Sequence, residues 1–422
     1  MTQLFADLII EHASQLLTLK TLKDKPVLVP VINDLGIIED GSIAVDSETG
    51  RIVATGKTEE VLSLVTLKEG GKRLSARGKI VLPGFVDPHT HVVFGGSRIE
   101  EINMRLQGKT YQEIQQAGGG IHFTVSATRR AAKSDLLEKA EHILHAMLRH
   151  GTTTLETKSG YGLNTENELK SLEIIRELAI NHVIDIVPTF LGAHLVPEEY
   201  LYDRKGYIKL LIEEMLPAIM DLAEFCDVFC EDKAFSIEEA REILLAGKAC
   251  GLLPKIHAEQ LSYLGGAELA AEVNAISADH LEYISLEGMK RMAEEKVVAV
   301  ILPGATFFLN MERYPPVRDM IEKGVPVALA TDYNAGSCWT YSMQMVMSLA
   351  CIKLKMTPEE AIVASTINSA CALKRENFIG SLETGKKADL LICDISDYTH
   401  MPFYFGTNQV LTVIKNGKIV FL

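Results

Sequence analysis

Between residues 81 and 334 the sequence alternates eight short apolar segments with longer stretches of helical periodicity. This alternation constrains the fold more than any other feature. The apolar segments are VLPGFVDPH (81–89), TTTLETKS (152–159), VIDIVPTFLGAH (183–194), CDVFCE (226–231), LPKIHAEQ (253–260), AISADHLE (275–282), VVAVILPGA (297–305) and PVALATDYN (326–334). Amphipathic stretches such as ENELKSLEIIRELAI (166–180) and SIEEAREILLAGKAC (236–250) separate them. The second of these opens with Ser236 and Glu239 at capping-box spacing. Eight strands alternating with helices over roughly 250 residues predict an α/β fold, a closed parallel TIM (β/α)8-type barrel, with a doubly wound open sheet as the alternative. Two further helices are expected near 342–354 and 358–373.

Both ends of the chain read differently. ADLIIEHA and LLTL are short apolar pieces, and GSIAVDSETGRIVATGK forms two alternating runs around a turn at residues 46–50. ADLLICD (388–394) and VLTVIKNGKIVFL (410–422), the latter turning at Asn416-Gly417, close the chain as strands. A small composite β-sandwich domain from residues 1–80 and 386–422 is therefore expected, flanking a barrel domain at 81–385.

Composition narrows the function classes. Apolar residues make up 47% and charged residues 23%, the balance of a globular chain rather than a disordered one. With 42 basic and 56 acidic residues the net charge is −14, which disfavours attraction to nucleic acid or anionic membranes. No apolar run approaches the roughly 18 residues that span a bilayer. The first residues lack the basic start and apolar stretch of a secretory signal. Seven cysteines without a CxxC pair read as reduced thiols, and a cytoplasmic location is expected.

The chemistry-bearing residues recur at strand ends. In Pro83-Gly84-Phe85-Val86-Asp87-Pro88-His89-Thr90-His91, two histidines at i and i+2 face one side of an extended segment. His257, His280 and Asp332 each break an apolar strand at its C-terminal end, where barrel active sites are built. Singly, each would serve as a satisfied strand-end residue or a helix cap. On one rim, His89, His91, His257 and Asp332 make an N3O donor set for zinc or iron with room left for a water. His280 would then support a ligand or handle a proton. His194 closes the third strand, while His12, His122, His142, His145, His150, His182 and His400 lack such placement.

Read together, PGFVDPHTHVVFGGSR (83–98), AGGGIHFTV (117–125), TTTLETKSGYGLN (152–164), FLGAH (190–194), KIHAEQ (255–260), SADHLE (277–282) and ATDYNAGS (330–337) resemble the amidohydrolase superfamily. More closely, they resemble its imidazolonepropionase family, along essentially the whole chain. The resemblance implies one divalent metal per chain, Zn2+ or Fe2+/Fe3+, held by His89, His91, His257 and Asp332. It implies hydrolytic opening of 4-imidazolone-5-propanoate to N-formimidoyl-L-glutamate, the third step of histidine degradation, with Asp332 and His280 as catalytic residues. Arg98, Tyr161, His194, Gln260, Asn334, Gly336 and Ser337 match the family's substrate contacts. A homodimer is the oligomer that the resemblance implies. Two loop positions depart from the pattern, Tyr333 and Ala335 standing where Phe and Pro are common, and neither is a ligand. Glu259 is expected to face away from the pocket, and the three glycines Gly118 to Gly120 to lie on a long loop beside it. The alternative function is a related mononuclear amidohydrolase or deaminase acting on another heterocycle; a non-catalytic barrel is disfavoured by the intact rim. Lys233 is poorly placed for the bridging lysine of a binuclear site, which favours one metal.

Overall fold

The computed structural model describes residues 4–20, 25–109, 113 and 119–422. Of the glycine run noted above, Gly118 lies outside these residues, while Gly119 and Gly120 lie within them. The chain opens with β1 (Leu4–Leu17), β2 (Ile37–Asp46), β3 (Arg51–Lys57), β4 (Val65–Ser75) and β5 (Ile80–Pro83). It continues with the parallel strands β6 (Phe85–Asp87), β7 (Thr152–Lys158), β8 (Asp185–Ala193), β9 (Phe225–Cys230), β10 (Leu253–Ala258), β11 (Ser277–His280), β12 (Val298–Ile301) and β13 (Val327–Leu329). It ends with β14 (Leu390–Cys393), β15 (Val410–Lys415) and β16 (Lys418–Phe421).

Strands β6 to β13 pair in sequence order, as the alternation predicts. The two ends of this row meet just beyond the strands: Thr90 bridges Tyr333, Asp332 N donates to His89 O (3.1 Å), and His91 N donates to Tyr333 O (2.8 Å). Asp87 completes the seam, its carboxylate accepting from Thr331 N (3.1 Å) and Thr331 Oγ1 (2.6 Å). The sheet is thus a barrel closed at its C-terminal rim.

The helices earn their places by amphipathic burial. Ile237–Ala249 starts at the Ser236/Glu239 capping box and buries Ala240, Ile243, Leu244 and Gly247, the i, i+3, i+4, i+7 stripe. Each large aliphatic buried this way contributes about 1.5–3 kcal/mol. A Cβ at Gly247 would come within 2.8 Å of Cys226 Cβ, so the missing side chain sets how closely this helix approaches β9. The expected helix 358–373 is two short ones, Pro358–Ala364 and Ile367–Ala372, parted at Ser365 and Thr366.

The terminal strands form one mixed sheet in the order β16-β15-β14-β5-β1-β2-β3, with β4 also paired to β1. The fourteen-residue β1 pairs with β4 along its first half and with β5 near its end. Its register against β2 shifts between Ile10 and Ala13, around His12 at φ 60°. Alternation places Ile9 and Ala44 in one apolar cluster and Leu8, Ile10, Ile43 and Val45 in another, one on each face. The hairpin β15–β16 turns at Asn416 and Gly417, both at positive φ, as the Asn-Gly pair predicts.

The run 81–89, read in the sequence as one strand, is two. Residues up to Pro83 pair with β14 and β1 in the terminal sheet, and after Gly84 the chain enters the barrel as β6. The physical reason is space: a Cβ at Gly84 would fall 2.2 Å from Thr153 Oγ1. The chain therefore passes between the sheets where the first barrel strand begins.

Lys415 ties the two sheets together. Its ammonium donates to Asp389 (2.6 Å) beside β14 and to Asp185 (2.8 Å) at the start of β8. Burial opposes this charge, and Asp389 and Asp185 more than offset it, raising the lysine above its usual range. Lys415→Met leaves the Asp389 carboxylate buried with no cation, at a cost of about 3–5 kcal/mol. The expected outcome is a lower urea midpoint by circular dichroism; an unchanged midpoint would show that the pair does not fasten the sheets.

Candidate metal centre

A small cavity lies at the C-terminal rim of the parallel barrel strands. His89 and His91 follow β6, His257 lies in β10, His280 ends β11 and Asp332 follows β13. The five side chains are buried. The His89 and His91 Nε2 atoms lie 3.3 Å apart, with Asp332 Oδ1 at 3.6 Å and 3.8 Å from them. His257 and His280 crowd the other side, with ring centroids 4.5 Å and 5.5 Å from His89. Ligating atoms of His89, His91 and Asp332, and of His89, His257 and His280, fall within 4.8 Å of one another.

Charges beneath the rim orient these rings. Asp279 Oδ2 lies 2.6 Å from His89 Nδ1, an arrangement that assigns the proton to Nδ1 and turns the Nε2 lone pair to the cavity. Asp227 Oδ2 sits 3.0 Å from His257 Nδ1, off hydrogen-bond alignment. Lys158 Nζ stands among Asp227 (2.7 Å), Glu156 (2.8 Å) and Asp279 (3.7 Å). Lys255 donates to Glu156 (2.9 Å) and to Pro88 O (3.0 Å). Burial opposes the Lys158 charge, yet the three carboxylates hold its ammonium well above the usual range. Burial likewise opposes ionisation of Asp227, while His257 and Lys158 hold it well below the usual carboxylate range.

Three of the rings, those of His89, His91 and His280, are neutral donors. Burial lowers His89, His91 and His280 well below the usual imidazole range. The same burial pushes Asp332 up to about 7, against the pull of its hydrogen bonds and of His257. Both His257 ring nitrogens, His91 Nδ1 and His280 Nδ1 have no hydrogen-bond partner. Buried polar atoms are seldom left so, and lone pairs that converge on one point repel unless a cation lies among them. Three or four imidazoles with one carboxylate are donors for a divalent transition metal, and the residues fit it.

The backbone is strained where these groups are presented. Glu259, His280, Leu281 and Asp332 all have positive φ, a conformation that costs a non-glycine residue about 1–3 kcal/mol. Glu259 faces away from the pocket, as expected, its carboxylate accepting from Gly265 N (3.1 Å).

Beside the histidines lies a cavity of about 90 Å³, lined by Arg98, Tyr161, His194, Gln260, Asn334 and Ser337 together with His91, His257, His280 and Asp332. His194 stacks on His91 (centroids 5.5 Å, 20°) and approaches Gly160 O through Nδ1 (3.0 Å), so its Nε2 is the acceptor; burial lowers it to about 3. Tyr161 is packed against His91, His194 and Phe94, and burial raises its phenol above the usual range. Asn334 holds its own loop: its Oδ1 accepts from Gly336 N (2.8 Å) and Ser337 N (2.7 Å). Its Nδ2 donates to Asp332 O (2.7 Å) and Ser337 Oγ (2.6 Å). Gly336 lies behind Arg98, and a Cβ there would fall 2.0 Å from the guanidinium Nη1.

The sequence reading did not single out Lys158, Glu156, Lys255, Asp227, Asp279, Glu101, or the apolar lining residues Ile121 and Phe229. The signal was present for some. Glu156 and Lys158 are two apart in an apolar strand, and Lys255 is two before His257, on the same face. Lys233, weighed as a bridging lysine, is exposed. No helix among the described residues is long and apolar enough to cross a membrane.

Comparison with known proteins gives the family. Residues 80–420 match the amidohydrolase family. The chain is 52% identical over 416 residues to an imidazolonepropionase of Geobacillus thermodenitrificans (strain NG80-2), covering 98% of this chain and 97% of the relative. It is 46% identical over 422 residues to an imidazolonepropionase of Alkaliphilus metalliredigens (strain QYMF), covering 99% and 98%. At the level of fold alone, it is similar to a zinc-bound adenosine deaminase from Xanthomonas campestris (TM-score 0.72, 17% identity, covering 100% of this chain and 94% of that one). It is similar in the same sense to the E. coli guanine deaminase (TM-score 0.72, 15% identity, 98% of each chain). The chain belongs to the amidohydrolase family, in its imidazolonepropionase branch.

Proposed function

We propose that the protein hydrolyses the cyclic amide C–N bond of 4-imidazolone-5-propanoate, giving N-formimidoyl-L-glutamate in histidine degradation. The observation that carries this reading is the placement of one largely withdrawn guanidinium, Arg98, in the wall of the same cavity as the histidine–aspartate rim. Such a pocket suits a small heterocycle bearing a carboxylate.

His89, His91, His257 and Asp332 would hold the metal, zinc or iron, whose chemistry is to acidify a water and polarise a carbonyl. Asp332 is the proton carrier: its carboxylate faces the reacting centre, takes the proton of the attacking water and delivers it to the leaving ring nitrogen. His280, across the cavity, donates to the oxygen on which charge develops, where a preorganised donor strengthens as the bond order changes. Arg98 pairs with the propionate carboxylate. His194, neutral and fixed by Gly160 O, offers Nε2 as acceptor to a ring N–H, and the Tyr161 hydroxyl and Gln260 amide bound the ring. Asn334 and Ser337 keep the Asp332 loop in shape, and Gly336 leaves room for the guanidinium. The reading extends to a cytoplasmic homodimer with the barrel at 81–385, apart from residues 81–83, which pair in the terminal sheet, and the composite domain at 1–80 and 386–422.

The test is a direct ultraviolet assay on freshly generated imidazolone propionate, beside cytosine and guanine. Turnover of the imidazolone alone is expected; turnover of the bases alone would overturn the substrate assignment. His257→Ala should abolish turnover and reduce bound metal from about one per chain to near none while circular dichroism stays native. Retained metal and activity would remove His257 from the ligand set. Arg98→Ala should raise KM roughly 10- to 100-fold with a smaller change in kcat, the loss of one charge-assisted contact of about 1.5–3 kcal/mol. An unchanged KM would contradict its role.

A further inference from the structure

Arg98 does not stand alone in the cavity wall. Glu101, one helical turn onward in Ile99–Leu106, grips it along one edge: Arg98 Nε donates to Oε1 and Nη2 to Oε2, both at 2.7 Å. The pair is withdrawn from water, with 12% and 8% of the two side chains exposed. Glu101 Oε1 also accepts from Gly120 N at 2.7 Å. Gly120, at φ 81°, precedes the helix Ile121–Arg130, and Ile121 lines the same cavity as Arg98. One carboxylate therefore joins the guanidinium to the Gly120–Ile121 segment of the pocket wall.

We propose that Glu101 is a positioning residue that sets both the Arg98 guanidinium and the Gly120–Ile121 wall for capture of a carboxylate-bearing substrate. The inference rests on the reading of Arg98 given above and deepens it. A free arginine side chain has many rotamers, and a bidentate carboxylate fixes the plane of the fork before substrate arrives. The Gly336 backbone behind the guanidinium blocks retreat, so Glu101 on one side and Gly336 on the other leave a single orientation. The Gly120 hydrogen bond makes the wall and the clamp move as one. Glu101 touches no reacting atom, so its loss is expected in substrate binding and not in the chemical step.

Glu101→Gln tests this. The amide oxygen can still accept from Gly120 N, but an NH2 now faces the Arg98 Nη2 and repels it. KM for imidazolone propionate should rise about tenfold with kcat within about twofold of wild type, the signature of lost ground-state and transition-state binding in equal measure. In an Arg98→Ala background the same substitution should change KM by less than about twofold, because residues that act through one another are non-additive. Glu101→Asp, which keeps the charge but is too short to reach both partners, should show the same split and serves where the glutamine variant folds poorly. A fall in kcat at constant KM, or an unreduced effect of Glu101→Gln without Arg98, would overturn the proposal. If Arg98→Ala raises KM and both Glu101 variants leave it unchanged, the Glu101 role fails while the Arg98 reading stands. If Arg98→Ala itself leaves KM unchanged, the Arg98 reading fails and the Glu101 role with it.

Discussion

The barrel holds Glu156, Lys158, Asp227, Lys255 and Asp279 in its interior without access to water, and the histidine rim rests on them. Removing a charge from water costs several kcal/mol even after relaxation, and the cost is recovered only when every partner is in place. Here each cation meets more than one acceptor: Lys158 lies among three carboxylates, and Lys255 bridges Glu156 and Pro88 O. Glu156 is further held by Thr189 Oγ1 at 2.5 Å, and Asp279 by Ser277 Oγ at 2.6 Å. The network draws on β7, β8, β9, β10 and β11, so the register of those strands and the aim of His89 and His257 are one constraint. A shift in any of these strands would strand a charge before it misplaced a ring.

The second half of the site depends on closure. His89, His91 and Asp332 lie on the seam where the first and last barrel strands meet, joined by three backbone contacts and by the Asp87–Thr331 pair. These hydrogen bonds offset the positive φ of Asp332, which a loop without the seam would relax. The donor atoms thus converge as a consequence of closing the barrel, with rigidity supplied from below by the charge network.

The sequence made the barrel legible because its signal is local: eight apolar segments separated by helical stretches, seven of them ended by a polar residue. The metal-directed residues were legible for the same reason, since His89, His91, His257, His280 and Asp332 interrupt apolar runs at equivalent places. The charges beneath were not, because Glu156, Lys158 and Asp227 acquire meaning only from partners on other strands, as in the Lys158–Asp227 pair 69 residues apart. Glu101 was missed for a related reason: its spacing to Arg98 marks a surface ion pair on any helix, and only burial and Gly120 give it another meaning. The break at Gly84 was hidden because the residues on both sides are equally apolar, though they belong to different sheets.

The acidic surface and the anionic substrate are compatible only if recognition is short-ranged. A net charge of −14 repels a carboxylate at long distance, but at physiological salt that field is screened beyond about 8 Å. Inside the pocket Arg98 is already neutralised in sum by Glu101, so the pair offers little net attraction to an approaching anion. What it offers is a guanidinium fork of fixed plane in a site of low dielectric, where two aligned hydrogen bonds count for more than a diffuse charge. A ligand whose carboxylate cannot reach that fork while its ring lies against His194 and Asp332 meets only the repulsion of Glu101 and the cost of leaving water. Selectivity then follows from the distance between ring and carboxylate, which the shared Glu101 hydrogen bonds to Arg98 and Gly120 hold constant.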